Sequence, residues 1–125
     1  LDQSKIVVGG GSAGGMLGCH WCYNDRPGAG ASEKDRVVAF VNLWGSPAPM
    51  WGDLHVDKND PPTIIIHGTA DQLVDYQNSV MLAEKLTSAG VKNQLITIAD
   101  AGHTPVAHMD DFEKKIAAFL IQLIR

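Results

Sequence analysis

Ser12 stands within Gly9-Gly10-Gly11-Ser12-Ala13-Gly14-Gly15, directly after the apolar run Ile6-Val7-Val8. Two chemistries compete for such a glycine-rich turn between a strand and a helix. Gly10 to Gly14 satisfy G-x-S-x-G, in which small neighbours let the backbone fold sharply enough to expose the serine oxygen as a nucleophile. Gly9, Gly11 and Gly14 also satisfy G-x-G-x-x-G, in which glycines let a dinucleotide pyrophosphate approach a helix N-terminus. The second reading needs an acidic residue about twenty positions on, at the end of the next strand, to hold ribose hydroxyls. Glu33 and Asp35 precede that strand, and its far end reads Leu43-Trp44-Gly45. A phosphate-binding P-loop is excluded as well, because no Gly-Lys-Ser/Thr follows the glycines. Taken alone, the segment is also compatible with a tight turn that carries no chemistry.

A serine hydroxyl is a poor nucleophile until an imidazole takes its proton, and the imidazole needs a carboxylate to hold its tautomer and stabilise its charged form. In α/β sheets such groups gather beyond the C-terminal ends of strands. After the apolar run Thr63 to His67 comes Gly68-Thr69-Ala70-Asp71, and after Asn93 to Ala99 comes Asp100-Ala101-Gly102-His103. These loops make Asp71 and His103 the candidate acid and base. The rivals have plainer uses. His108 falls where a helix begins and suits an exposed position, His67 ends an apolar strand and suits packing or hydrogen bonding, and Asp75 suits a helix N-cap. Asp100 lies too close to His103 in sequence to be its usual partner. Cys19-His20-Trp21-Cys22 has the spacing of a redox pair or half a zinc site. It lies inside a predicted helix, however, with no second ligand pair beyond a recruitable His55, so the thiols read as packing groups and no metal is assigned.

The elements that must position these residues follow from hydrophobic patterning. Lys5 to Gly9, Arg36 to Leu43, Thr63 to His67 and Asn93 to Ala99 are near-continuous apolar runs, the pattern of strands buried on both faces. Asp75 to Ala89 sets Val80, Leu82, Ala83, Leu86 and Ala89 on a helical period, with Gly90 as its stop. Met109 to Leu123 does the same with Phe112, Ile116, Phe119, Leu120 and Leu123. Gly11 to about Asn24 is a third helix, left through Asp25-Arg26-Pro27-Gly28. The proline-rich loop from Trp44 to Pro62 is long enough to carry function, and its Trp44, Met50 and Trp51 either wall a substrate pocket or cover the sheet edge.

Composition agrees with one α/β domain over residues 1–125, a parallel sheet of about four strands with flanking helices. With 125 residues, 45% of them hydrophobic, the chain can bury a core, and a net charge of -4 without long runs disfavours a nucleic-acid reader or a polybasic membrane binder. No apolar stretch reaches the roughly twenty residues of a membrane helix. The N-terminus shows neither a leader nor an initiating Met, so a removed leader would fit a secreted or periplasmic protein and the compartment stays open.

Serine, acid and histidine in this order at three strand ends resemble the α/β-hydrolase superfamily, and the Gly-Gly-Ser-Ala-Gly-Gly elbow is similar to that of bacterial esterases and lipases. Ile64 to Val74 resembles that family's acid loop and Ala101-Gly102-His103 its histidine loop. The resemblance implies Ser12 as nucleophile, Asp71 as orienting acid, His103 as general base and the Ala13 N–H as one oxyanion donor. It implies short-chain carboxylic esters as substrates, with acetyl or feruloyl groups on plant polysaccharide as one class, and it calls for no cofactor. The family places further strands, and the loop with the second oxyanion donor, before the elbow strand. The chain therefore reads as the C-terminal half of the fold, expected to associate with itself through the edge at Ile6 to Val8. The competing reading is a catalytically incomplete hydrolase-like fragment that serves as a binding or self-assembling module.

Overall fold

The computed structural model describes residues 5–24, 37–48, 51 and 54–124. Its elements run β1 (Ile6–Gly11), α1 (Ala13–Tyr23), β2 (Val37–Leu43), β3 (Thr63–Gly68), α2 (Tyr76–Ser88), β4 (Asn93–Ile98), a 3-10 turn (Val106–His108) and α3 (Met109–Ile124). The strands form one parallel sheet in the order β1-β2-β3-β4, the α/β architecture expected from the alternation of strand and helix patterns. The expected exit from α1 at Asp25 to Gly28, the acids Glu33 and Asp35, and Met50 lie outside the described residues.

The period of two along each strand divides the apolar runs between two faces. Phe40 and Ile65 pack with Cys19, Cys22 and Tyr23 of α1 and Leu82 and Leu86 of α2. Val41, Ile64 and Ile66 pack on the other face with Phe112 and Phe119 of α3. The central strands β2 and β3 are accordingly buried. β1 and β4 are not buried on both faces as their apolar runs had implied: burial alternates along β1, and Val7 is exposed. The reason is their place at the two sheet edges, where fewer neighbours cover them.

Two boundaries differ from the patterning, and both bear on Ser12. β1 continues through Gly10 and Gly11, which pair with Asn42 and Leu43. α1 starts only at Ala13, because Ser12 has φ 53° and ψ -117°, outside helical geometry. The end of α2 is a full helix stop: Gly90 has φ +80°, its N–H donates to the Thr87 carbonyl, and the Val91 N–H reaches back to the Leu86 carbonyl. The strand register brings Gly11 beside Leu43, Leu43 beside Ile66 and Gly68 beside Ile98, so the loops after all four strands open on one rim.

Candidate active site

The elbow at Ser12 is built by close backbone approach. A Cβ on Gly10 would stand 2.5 Å from the Gly14 carbonyl carbon, so only glycine lets α1 turn back over β1 at this angle. The Ser12 N–H donates to the Leu43 carbonyl at 2.9 Å, and the Ser12 carbonyl accepts the first helical bond from Met16 at 3.0 Å. These bonds hold a positive φ at a residue with a side chain, a conformation costing roughly 1–3 kcal/mol that persists only where the surroundings determine it. The N–H of Ala13 belongs to the first turn of α1, whose donors have no partner within the helix.

The acid and histidine loops are stitched together. Thr69 N–H donates to the Ile98 carbonyl, Ala70 N–H to the Ala101 carbonyl, and Asp100 N–H to Thr69 Oγ1. Within the first loop the Asp71 side chain is buried, and its Oδ1 accepts the N–H groups of Leu73 and Val74, each at 2.9 Å. Oδ2 lies 2.8 Å from His103 Nδ1 and 3.0 Å from His67 Nε2. His103 Nε2 lies 2.9 Å from Ser12 Oγ. An ionised carboxylate only accepts, so His103 carries its proton on Nδ1 and leaves the Nε2 lone pair to receive the Ser12 hydroxyl proton. Burial by itself would raise the Asp71 carboxyl. Donors from Val74 N–H, the His103 ring and Leu73 N–H, together with the charge His103 can carry, outweigh burial and hold it below its ordinary value.

Ser12, Asp71 and His103, drawn from positions far apart in the chain, thus form one hydrogen-bonded line. The rivals lie elsewhere. Asp75 caps α2 by accepting the Gln77 N–H, Asp100 is exposed with φ 58°, and His108 is exposed in the 3-10 turn. Cys19 and Cys22 are buried in the α1 core and are not joined by a disulfide, and burial, with Cys22 adding, pushes the Cys19 thiol well above its ordinary range. The two tryptophans are separated. Trp44 packs edge-on against Phe112 with its indole over Gly11, on the α3 face. Trp51 donates to Asn78 Oδ1 and lies under Lys85 on the opposite face. The attachment of His67 to Asp71, and of Ser79 to His67 Nδ1 at 2.6 Å, went beyond the sequence reading. The available signal was the spacing of four between His67 and Asp71 across the tight turn after Gly68; for Ser79 it was the helical period shared with Leu82 and Leu86, which marks a buried face and names no partner.

Comparison with known proteins agrees with this architecture. The model of the prolyl oligopeptidase family matches residues 50–125, the part that holds the Asp71 and His103 loops. No curated protein sequence matches. Among solved structures, esterase 2 of Thermogutta terrifontis phosphonylated by cyclosarin is 26% identical, with a TM-score of 0.64 over 82% of this chain and 46% of that one. The propionate-bound form of this thermophilic planctomycete esterase gives 24% identity and a TM-score of 0.76 over 98% of this chain and 57% of that one. A truncated carbohydrate esterase from gut microbiota gives 23% and 0.73 over 100% and 62%. The chain spans about half the length of the solved structures it matches. The superfamily that the order of motifs implied, the α/β-hydrolases, is supported. Since the family model covers more than half of the sequence, the chain belongs to the prolyl oligopeptidase family.

Proposed function

We propose that this chain carries the catalytic residues of a serine esterase acting on short-chain carboxylic esters through an acyl-enzyme. The observation that carries the reading is the line from Ser12 Oγ through His103 to Asp71, with links of 2.9 and 2.8 Å. Ser12 Oγ attacks the ester carbonyl carbon while His103 Nε2 takes its proton, and the Asp71 carboxylate stabilises the resulting imidazolium. The Ala13 N–H donates to the developing oxyanion. Collapse of the tetrahedral species expels the alcohol, which leaves with the proton from His103. Water then repeats the sequence, with His103 as base, to release the acid and restore Ser12.

Short acyl chains are favoured because an esterase of this fold has been captured with propionate bound. A carbohydrate esterase among the neighbours supports a sugar ester as the alcohol side. The family model supports a second reading, a peptidase, because the same three residues cleave amides when His103 protonates an amine instead of an alcohol. Parallel assays with p-nitrophenyl acetate and a prolyl p-nitroanilide separate the two. The ester is expected to turn over faster, with Ser12→Ala reducing kcat by at least about 10³-fold. Equal release of nitrophenol by wild type and Ser12→Ala removes the enzyme reading. It would leave the chain as a binding or self-assembling module, for which β1 with its exposed Val7 is the available edge.

A further inference from the structure

His67, the last residue but one of β3, has no solvent exposure, and both of its ring nitrogens are hydrogen-bonded. Nε2 lies 3.0 Å from Asp71 Oδ2 and 3.0 Å from the Val74 carbonyl oxygen. A carbonyl only accepts, so Nε2 carries the proton and shares it between the two oxygens. Nδ1 lies 2.6 Å from Ser79 Oγ and, with the ring proton on Nε2, accepts a hydrogen bond from that hydroxyl. Tyr76 meets the imidazole edge-on with centroids 5.8 Å apart, and its own hydroxyl is tied to Thr97 Oγ1 at 2.6 Å. Among the described residues, the ionisable groups that face His67 are therefore Asp71, with His103 beyond it, and Tyr76 from α2.

Filling this volume does not require a histidine, since an apolar side chain would do so without desolvating two ring nitrogens. The polar ring has a specific target instead. A carboxylate offers about four lone-pair directions. On Asp71, Leu73 and Val74 occupy Oδ1, while His103 and His67 share Oδ2. Rotation of the carboxylate breaks several of these bonds together. With His67 removed, Oδ2 is anchored only by the residue it has to orient.

We propose that His67, held by Ser79, is a positioning residue of this site. It fixes the Asp71 carboxylate so that Oδ2 faces His103 Nδ1, and thereby keeps His103 in the Nδ1–H tautomer. This rests on the roles given to Ser12, Asp71 and His103 above, and it adds a second histidine on the far side of the acid.

The test pairs His67→Phe, which fills the space without an N–H, with His67→Gln, which returns an amide N–H near the Nε2 position. With p-nitrophenyl acetate, His67→Phe is expected to lose about 10- to 100-fold in kcat, the scale of a small misplacement of a catalytic group, with KM little changed. His67→Gln is expected to recover most of the loss. Nitrogen NMR of the imidazoles near pH ~8, where free histidines are neutral, reads the His103 tautomer without turnover. Wild type and His67→Gln should show Nδ1–H, and His67→Phe a mixture. A folded His67→Phe that keeps both kcat and the wild-type tautomer overturns the proposal. So does a His67→Gln that is as impaired as His67→Phe, because the N–H would then not be what positions Asp71. Should His67→Phe fail to fold, Ser79→Ala makes the same test through Nδ1, and an unchanged His103 tautomer there also overturns it. If wild type shows no Ser12-dependent turnover, the esterase reading falls, while the tautomer measurement still decides the part played by His67.

Discussion

At the scale of single residues, Asp71 is the most constrained side chain of the site, and its constraint makes one substitution unusually informative. Asp71→Asn keeps the shape but offers one acceptor oxygen and an NH₂ group. With the oxygen turned to the Leu73 and Val74 N–H groups, the NH₂ faces two imidazoles that both present protons. His67 can still donate to the Val74 carbonyl, but His103 has to move its proton to Nε2, where it blocks transfer from Ser12. A fall in kcat of about 10³- to 10⁴-fold is expected, with a stability loss of about 1–3 kcal/mol from the mismatched buried donors. The pH dependence of that stability loss has a definite sign. The folded state holds the Asp71 carboxyl below its ordinary value, so the stabilisation is complete above the unfolded carboxylate pKa of about 4 and is lost as pH falls through the lower folded value. The Tm gap between wild type and Asp71→Asn should be level near neutrality and shrink below pH ~4. Melting curves showing a gap that widens on acidification would contradict this account.

At the scale of elements, the elbow shows how one helix can be placed by missing side chains. A Cβ on Gly15 would lie 2.5 Å from Asn42 Oδ1 and 2.8 Å from Gly45 Cα, whereas one on Gly14 meets nothing within 4 Å. Asn42 is itself committed, accepting the Gly45 N–H at 3.0 Å and donating to the Gly45 carbonyl at 3.3 Å, so it cannot yield cheaply. The same substitution at adjacent positions should therefore act with opposite signs. Gly15→Ala is expected to destabilise by about 1–3 kcal/mol and Gly14→Ala to stabilise by about 0.5–1 kcal/mol, read as denaturant midpoints. Two shifts of the same sign would mean that close packing does not set the helix position. This mode of packing also explains what patterning could reveal. β2, β3, α2 and α3 were legible because apolar periodicity reports directly on burial. The last two residues of β1 are glycines, which carry no such signal and join the strand only by pairing with Asn42 and Leu43. The loops holding Asp71 and His103 were legible from their place after strands. The place of Ser79 on the buried face of α2 follows from the helical period it shares with Leu82 and Leu86, but its bond to the His67 ring, twelve residues away, is a tertiary contact that no helical period contains.

At the scale of the whole molecule, the two sheet edges differ. β4 presents the exposed polar residues Gln94 and Thr97, the usual protection of an edge. On β1, Val7 is 43% exposed, and the helix that follows it leaves Leu17 at 65% and Trp21 at 54%. Among the described residues β1 pairs only with β2, so its outer row of backbone donors and acceptors faces no described strand. An apolar edge of this kind is a template for pairing, and a second copy of the chain offers the same edge and the same apolar helix face. Association through β1 should bury the valine and satisfy the backbone of both copies together. Light scattering is expected to give a mass above that of the monomer, rising with concentration. Val7→Lys, which puts a charge on the pairing edge, should return the mass to the monomer value, while Gln94→Lys on the opposite edge should leave association unchanged. A wild-type mass that stays monomeric over a wide concentration range would exclude pairing through β1. Association abolished by Gln94→Lys but not by Val7→Lys would exclude it equally, since the contact would then lie at β4.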